Sequence, residues 1–118
     1  MEAKATGKYI RGSSQKARWV IDLIRGEKVE RALSILEFSR KGAARPIEKV
    51  LRSAIANAEE RSPNLDVEEL FVKEAFVDMG PTKNRYRVRP APMGRAFRER
   101  RHQNHITIRV SDGQDEEE

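Results

Sequence analysis

Between Gly80 and His105 the chain places eight basic side chains, Lys83, Arg85, Arg87, Arg89, Arg95, Arg98, Arg100 and Arg101, against one acid, Glu99. Strand-like sequence flanks this segment. Leu70 to Val77 is rich in β-formers (Phe71, Val72, Phe76, Val77), and Ile106, Ile108 and Val110 alternate with Thr107 and Arg109. Pro81, Pro90, Pro92 and Gly94 supply turn chemistry in between. Two strands around a central turn predict a long antiparallel β-hairpin over 80–105, and Arg85, Arg87 and Arg89 alternate as strand residues do. Arms of about a dozen residues at roughly 3.3 Å each reach ~35–40 Å. A compact body of this size has a radius of gyration of only ~13–14 Å, so the arm has to project.

A lone two-stranded hairpin is marginal in water. This one has few apolar residues (Tyr86, Val88, Met93, Phe97), and its like charges repel. Stability then requires a polyanion, and nucleic-acid phosphates fit, with Tyr86, Phe97 and the arginine planes available to stack on exposed bases. The competing reading is a solvated basic loop. In the free chain, amides of residues 87–95 should exchange fast while those of 47–58 are protected. Strong protection of the isolated tip in hydrogen exchange would contradict the repulsion.

The rest of the composition fits one domain in 118 residues, taken as 1–111 followed by an acidic, disordered tail at 112–118. Hydrophobic residues make up 37% and charged residues 36%, against averages of about 45–50% and about 25%. The net charge of +5 understates the local asymmetry, because residues 1–79 carry 15 basic and 13 acidic side chains. There is no cysteine, hence no disulfide or thiolate metal site. No signal-like leader and no run near ~20 apolar residues is present. No P-loop, G-x-S-x-G or H-E-x-x-H occurs, so neither an enzyme nor a cofactor is expected.

Residues 3–11 read as a short strand. Ser13 or Ser14 offers an N-cap for a helix whose apolar face is Ala17, Val20, Ile21 and Ile24, with Gly26 at its end after Arg25. A second helical face is Val29, Ala32, Leu33 and Leu36, ended by Arg40, Lys41 and Gly42. A third helix has Pro46 in its first turn and Ile47, Val50, Leu51, Ala54 and Ala58 on one face, and Ser62-Pro63-Asn64 stops it. Its small residues Ala54, Ala56 and Ala58 permit close packing. A second basic cluster, Lys4, Lys8, Arg11, Lys16 and Arg18, surrounds the first helix start, where Ser13 and Ser14 could present backbone N–H groups to a phosphate; the alternative is a capped helix with a solvated face. His102 and His105 form an H-x-x-H pair, but a strand would turn them to opposite faces and no carboxylate stands close. Stacking or phosphate contact suits them better than a metal.

Several stretches carry a family resemblance. They are Ser13 and Lys16 followed by Asp22-Leu23-Ile24-Arg25-Gly26; Lys49-Val50-Leu51 followed by Ser53-Ala54-Ile55-Ala56-Asn57-Ala58; Val77-Asp78-Met79-Gly80-Pro81; and Gly94-Arg95 followed by His105-Ile106-Thr107-Ile108. In this order, from Ala3 to Val110, the chain resembles the universal L-twenty-two family of large-subunit ribosomal proteins in its short bacterial form. The resemblance implies an α+β fold: three helices packed on a small three-stranded antiparallel sheet, with a long protruding β-hairpin. It implies binding to large-subunit rRNA, help in subunit assembly, neighbouring ribosomal proteins as partners, a cytoplasmic location and no homo-oligomer. It adds Arg25 and Gly94 to the rRNA-facing residues. It also implies that a hairpin tip at Arg87-Val88-Arg89-Pro90-Ala91-Pro92-Met93 lines the peptide exit tunnel and meets the nascent polypeptide. The run Ala91-Pro92-Met93-Gly94-Arg95 lacks the leading basic residue usual in the family, so individual tip contacts do not carry over. Apart from the resemblance, an extraribosomal RNA-binding or RNA-assembly module is the alternative.

Overall fold

The computed structural model describes residues 1–81, 86–90, 96–100 and 102–113. In chain order the elements are β1 (Glu2–Arg11), α1 (Ser14–Ile24), α2 (Val29–Phe38), α3 (Ala44–Arg61), β2 (Phe71–Met79), β3 (Tyr86–Pro90), β4 (Ala96–Arg100) and β5 (Gln103–Ser111). A three-stranded antiparallel sheet has the order β1-β5-β2. The α+β expectation of three helices on a small sheet is met. The last strand is the central one, so the sheet closes only through pairings distant in sequence.

The helical periodicities translate directly into burial. On α1, Ala17, Val20, Ile21 and Ile24 are buried; on α3, Ile47, Val50, Leu51, Ala54 and Ala58 are. Helix α3 lies against β1 and β5. Strand β1 turns Ala3, Ala5 and Gly7 toward the core side in alternation, and such small residues let a helix backbone approach closely. Ala54 and Ala58 are buried in the core, but Ala56 is exposed, because a residue two positions on points to nearly the opposite side of a helix. From the sheet, Val72, Ala75, Val77, Ile106, Ile108 and Val110 complete the core.

Boundaries moved by a few residues. The second helix ends at Phe38, before the expected Arg40–Gly42 stop, and β5 begins at Gln103 rather than Ile106. A single 3-10 turn at Val67–Glu69, unpredicted, is capped by the Asp66 carboxylate, which accepts from the Glu68 N–H at 3.0 Å. Ser13 occupies the N-cap position of α1 with extended backbone, yet its side chain makes no capping bond. Gly26 ends α1 in the left-handed region at φ 82°, where glycine is unstrained, and its N–H donates to the Val72 carbonyl at 3.0 Å.

Both sheet edges are partly covered. Along β2, Arg25 donates to the Ala75 carbonyl (2.7 and 3.1 Å) and Arg18 to the Val77 carbonyl (3.0 and 3.3 Å). The α1–α2 connection adds Val72 N–H to Glu27 O at 2.9 Å and Val29 N–H to Leu70 O at 3.1 Å. Along β1, Asn57 donates to Lys4 O at 2.9 Å and Arg61 to Glu2 O at 2.8 Å. Covered edges do not recruit further strands.

On the outer face of the sheet Glu2 pairs with Lys73, and Arg109 reaches Glu74 at 3.3 Å. The hydrogen bond from Lys73 holds the Glu2 carboxyl below the usual carboxylate range. Hydrogen bonds from Arg52 and then Arg45 do the same for Glu48. A depressed carboxyl favours the folded state above its unfolded value, and that contribution is lost as pH falls through the lowered one.

Strands β3 and β4 form a separate two-stranded antiparallel sheet, pairing Tyr86 with Arg100, Val88 with Arg98 and Pro90 with Ala96. The molecule measures 65 Å along its long axis against 31 and 18 Å across, with a radius of gyration of 17.6 Å. A compact body of this length would have ~13–14 Å, so the elongation accords with an arm set off from the core. Asp112, assigned from sequence to the tail, packs at the end of β5, where its carboxylate accepts from the Met1 amine at 3.2 Å. Residues 114–118 of the expected tail lie outside the described residues.

Candidate nucleic-acid interface

The two basic clusters seen in the sequence are distributed by the fold in different ways. Of the hairpin cluster, Tyr86, Arg87, Arg89, Arg98 and Arg100 belong to β3 and β4, where register places Arg87 across from Glu99 and Arg98 across from Val88. Lys83, Arg85, Ala91, Pro92, Met93, Gly94, Arg95 and Arg101 lie outside the described residues.

The root of this arm is built by residues that carry no charge. Gly80 N–H donates to Gln103 O at 2.7 Å, and the Gln103 amide donates to Pro81 O at 2.7 Å. A Cβ on Gly80 would stand 3.0 Å from the Gln103 carbonyl oxygen and 2.9 Å from its Cγ. Backbone at such a distance cannot yield as a side-chain end can. Gly80→Ala should therefore cost about 1–3 kcal/mol, readable in urea unfolding. An unchanged midpoint would mean that the strands crossing at the root separate freely.

The N-terminal cluster is split. Arg18 and Arg25 turn to β2 as described, and Arg25 also pairs with Asp22 at 2.7 Å. Arg25 thus reaches across to a strand instead of serving its own helix end. Lys4 and Lys8 are exposed on β1. Arg11, Ser13 and Lys16 instead line a pocket of ≈ 520 Å³ together with Trp19, Lys41 and Asn104. A second hollow of ≈ 420 Å³, bordered by Thr6, Arg45, Lys49 and Ser53, adjoins it through the shared walls Ile10 and Pro46. No aspartate or glutamate lines either one. Arg45 is engaged structurally: it pairs with Glu48 at 2.8 Å and donates to the Glu37 and Ser39 carbonyls at 2.8 and 3.0 Å. That leaves Arg11, Lys16, Lys41 and Lys49 as the groove's cations.

The histidines are not brought together. His102 is exposed, while His105 is half-buried and its Nδ1 accepts from the Tyr9 N–H at 3.1 Å. The Tyr9 and His105 rings meet edge-on at 4.9 Å. These contacts hold Tyr9 at φ 57°, inside the register shift between Gly7 and Ile10. His105 therefore fixes a bulge. Among the described residues no group of three potential ligands is placed to hold a metal.

Sequence reasoning missed Gln103, Asn104 and Trp19. The signal for Trp19 was legible: it lies off the apolar stripe of α1, as does Leu23, and both are exposed. Buried amides such as Gln103 and Asn104 leave no such mark.

Fold and surface define a class: a small α+β body carrying an accessory two-stranded sheet and an acid-free, cationic groove. The profile described as Ribosomal protein L22p/L17e matches residues 5–111, and the chain belongs to that family. Similar proteins include the large ribosomal subunit protein uL22 of Solibacter usitatus, 54% identical over 95% of this chain and 97% of the relative. The protein of the same name from Syntrophus aciditrophicus is 55% identical over 92% and 96%, and that of Halothermothrix orenii 54% identical over 95% and 96%.

Proposed function

We propose that the chain is a structural constituent of the large ribosomal subunit, in the cytoplasm, that binds large-subunit rRNA and aids its folding into the subunit. The observation that carries this is the end-to-end similarity to proteins bearing the name large ribosomal subunit protein uL22, which leaves almost no part of either chain unmatched. The concentration of eight cations and one acid in residues 80–105 supports it, because rRNA supplies the phosphates that such a segment lacks. Residues 1–111 act as one domain. The body binds rRNA and neighbouring subunit proteins as a single copy, and the hairpin extends along the exit tunnel, its tip at 87–93 beside the nascent polypeptide. The work is done by charge and shape, without catalysis. No helix among the described residues is long and apolar enough to cross a membrane.

A photo-crosslinker placed at residue 88 of ribosome-incorporated protein tests the tunnel position. Capture of a stalled nascent chain is the expected result. Incorporation with crosslinks only to surface proteins would overturn it.

A further inference from the structure

Trp19 is the only tryptophan, and it is 49% exposed beside the pocket at the start of α1. Lys41 Nζ stands over its ring, 5.1 Å from the centroid. Arg11 and Lys16 line the same pocket, with no carboxylate among the lining residues. The Ser13 side chain makes no capping bond at the first turn of α1, where backbone N–H groups favour an anion. The wall also contains a buried acceptor that lacks a donor. Asn104 is 2% exposed; its Nδ2 donates to Gly12 O at 3.0 Å, which fixes the amide's orientation and leaves Oδ1 without a partner. An aromatic face, several cations and a recess within the ~300–1,000 Å³ range of small-ligand sites match a flat ring joined to a phosphate. An acidic peptide offers the charge without the ring, and a base inside a duplex must first be unstacked and unpaired, at a cost in free energy, before it can enter.

We propose that this pocket seats one unpaired nucleotide of the bound RNA, its base stacked on Trp19 and its phosphate held by Arg11 and Lys16 at the start of α1. The proposal rests on the RNA-binding reading and deepens it: the body, and not only the hairpin, then recognises single-stranded RNA.

Trp19 emission reports directly on the pocket. The full chain is titrated with a single-stranded RNA trinucleotide, an RNA duplex, inorganic phosphate and an acidic peptide, and separately with large-subunit rRNA. The trinucleotide should quench the emission saturably, while duplex, phosphate and peptide should not. Trp19→Ala should weaken trinucleotide binding about 5–100-fold, read by anisotropy of a labelled RNA; Trp19→Phe should restore most of it, and thermal melting should show both variants folded. Lys16→Ala should weaken it several-fold. If rRNA binds but Trp19 emission stays constant and Trp19→Ala binds as wild type, the pocket proposal falls and the wider reading stands. Equal quenching by the acidic peptide also overturns it. If the trinucleotide quenches while rRNA is not bound, the pocket stands and the wider reading falls.

Discussion

Affinity for large-subunit rRNA should fall by about 10³–10⁵ between 50 and 200 mM salt, if the hairpin and groove cations together make ~6–10 phosphate contacts. The magnitude follows from counterion release: each neutralised phosphate frees a condensed cation, and the logarithm of the affinity falls linearly with that of the salt concentration. Individual substitutions divide according to the geometry. Removing Arg87, Arg89 or Arg98 should weaken binding and flatten the slope by about 1 each. Arg18→Ala and Arg25→Ala should leave the slope nearly unchanged and lower stability instead, because those guanidiniums are engaged with the Val77 and Ala75 carbonyls. Filter binding at several salt concentrations measures the slope. A flat profile would exclude phosphate contact as the main source of affinity.

The second large effect is in the core. Leu51 is fully buried on α3, inside the hydrophobic core. Leu51→Ala should cost roughly 2–5 kcal/mol, the lost transfer free energy plus a residual cavity. Domains of this kind are stable by only ~5–15 kcal/mol, so melting should drop by on the order of 8–40 °C at about 4–8 °C per kcal/mol. Leu23→Ala provides the contrast. Leu23 is in the next helix but one toward the N-terminus and is exposed, so its truncation should stay within ~0.5 kcal/mol. Equal losses at both positions, in paired thermal melts, would mean that the stripe on α3 does not organise the core.

The sequence reported best on what is local. The stripes of α1 and α3 were legible because a helix buries every third or fourth residue, whatever it packs against. The exposure of Ala56 beside buried Ala54 and Ala58 follows from the same rule. Pairing between distant segments was less legible: nothing near Gln103 announces that β5 extends back to it or that its amide closes the hairpin root on Pro81. Charge was visible, but its use was not. Arg11 and Arg18 read alike in the sequence, yet the fold sets one in an open pocket and turns the other onto a strand carbonyl. Asn104 and Trp19, which complete that pocket, come from opposite ends of the chain, so only the folded arrangement joins them.

A component of the large subunit must travel with that particle. Sucrose-gradient sedimentation of a tagged copy, expressed at native level in a bacterium lacking its own, tests this directly. The protein should migrate with large subunits and whole ribosomes, with none at the top of the gradient, and nuclease digestion of rRNA should release it. Recovery only as free protein in a cell with intact subunits would contradict the account.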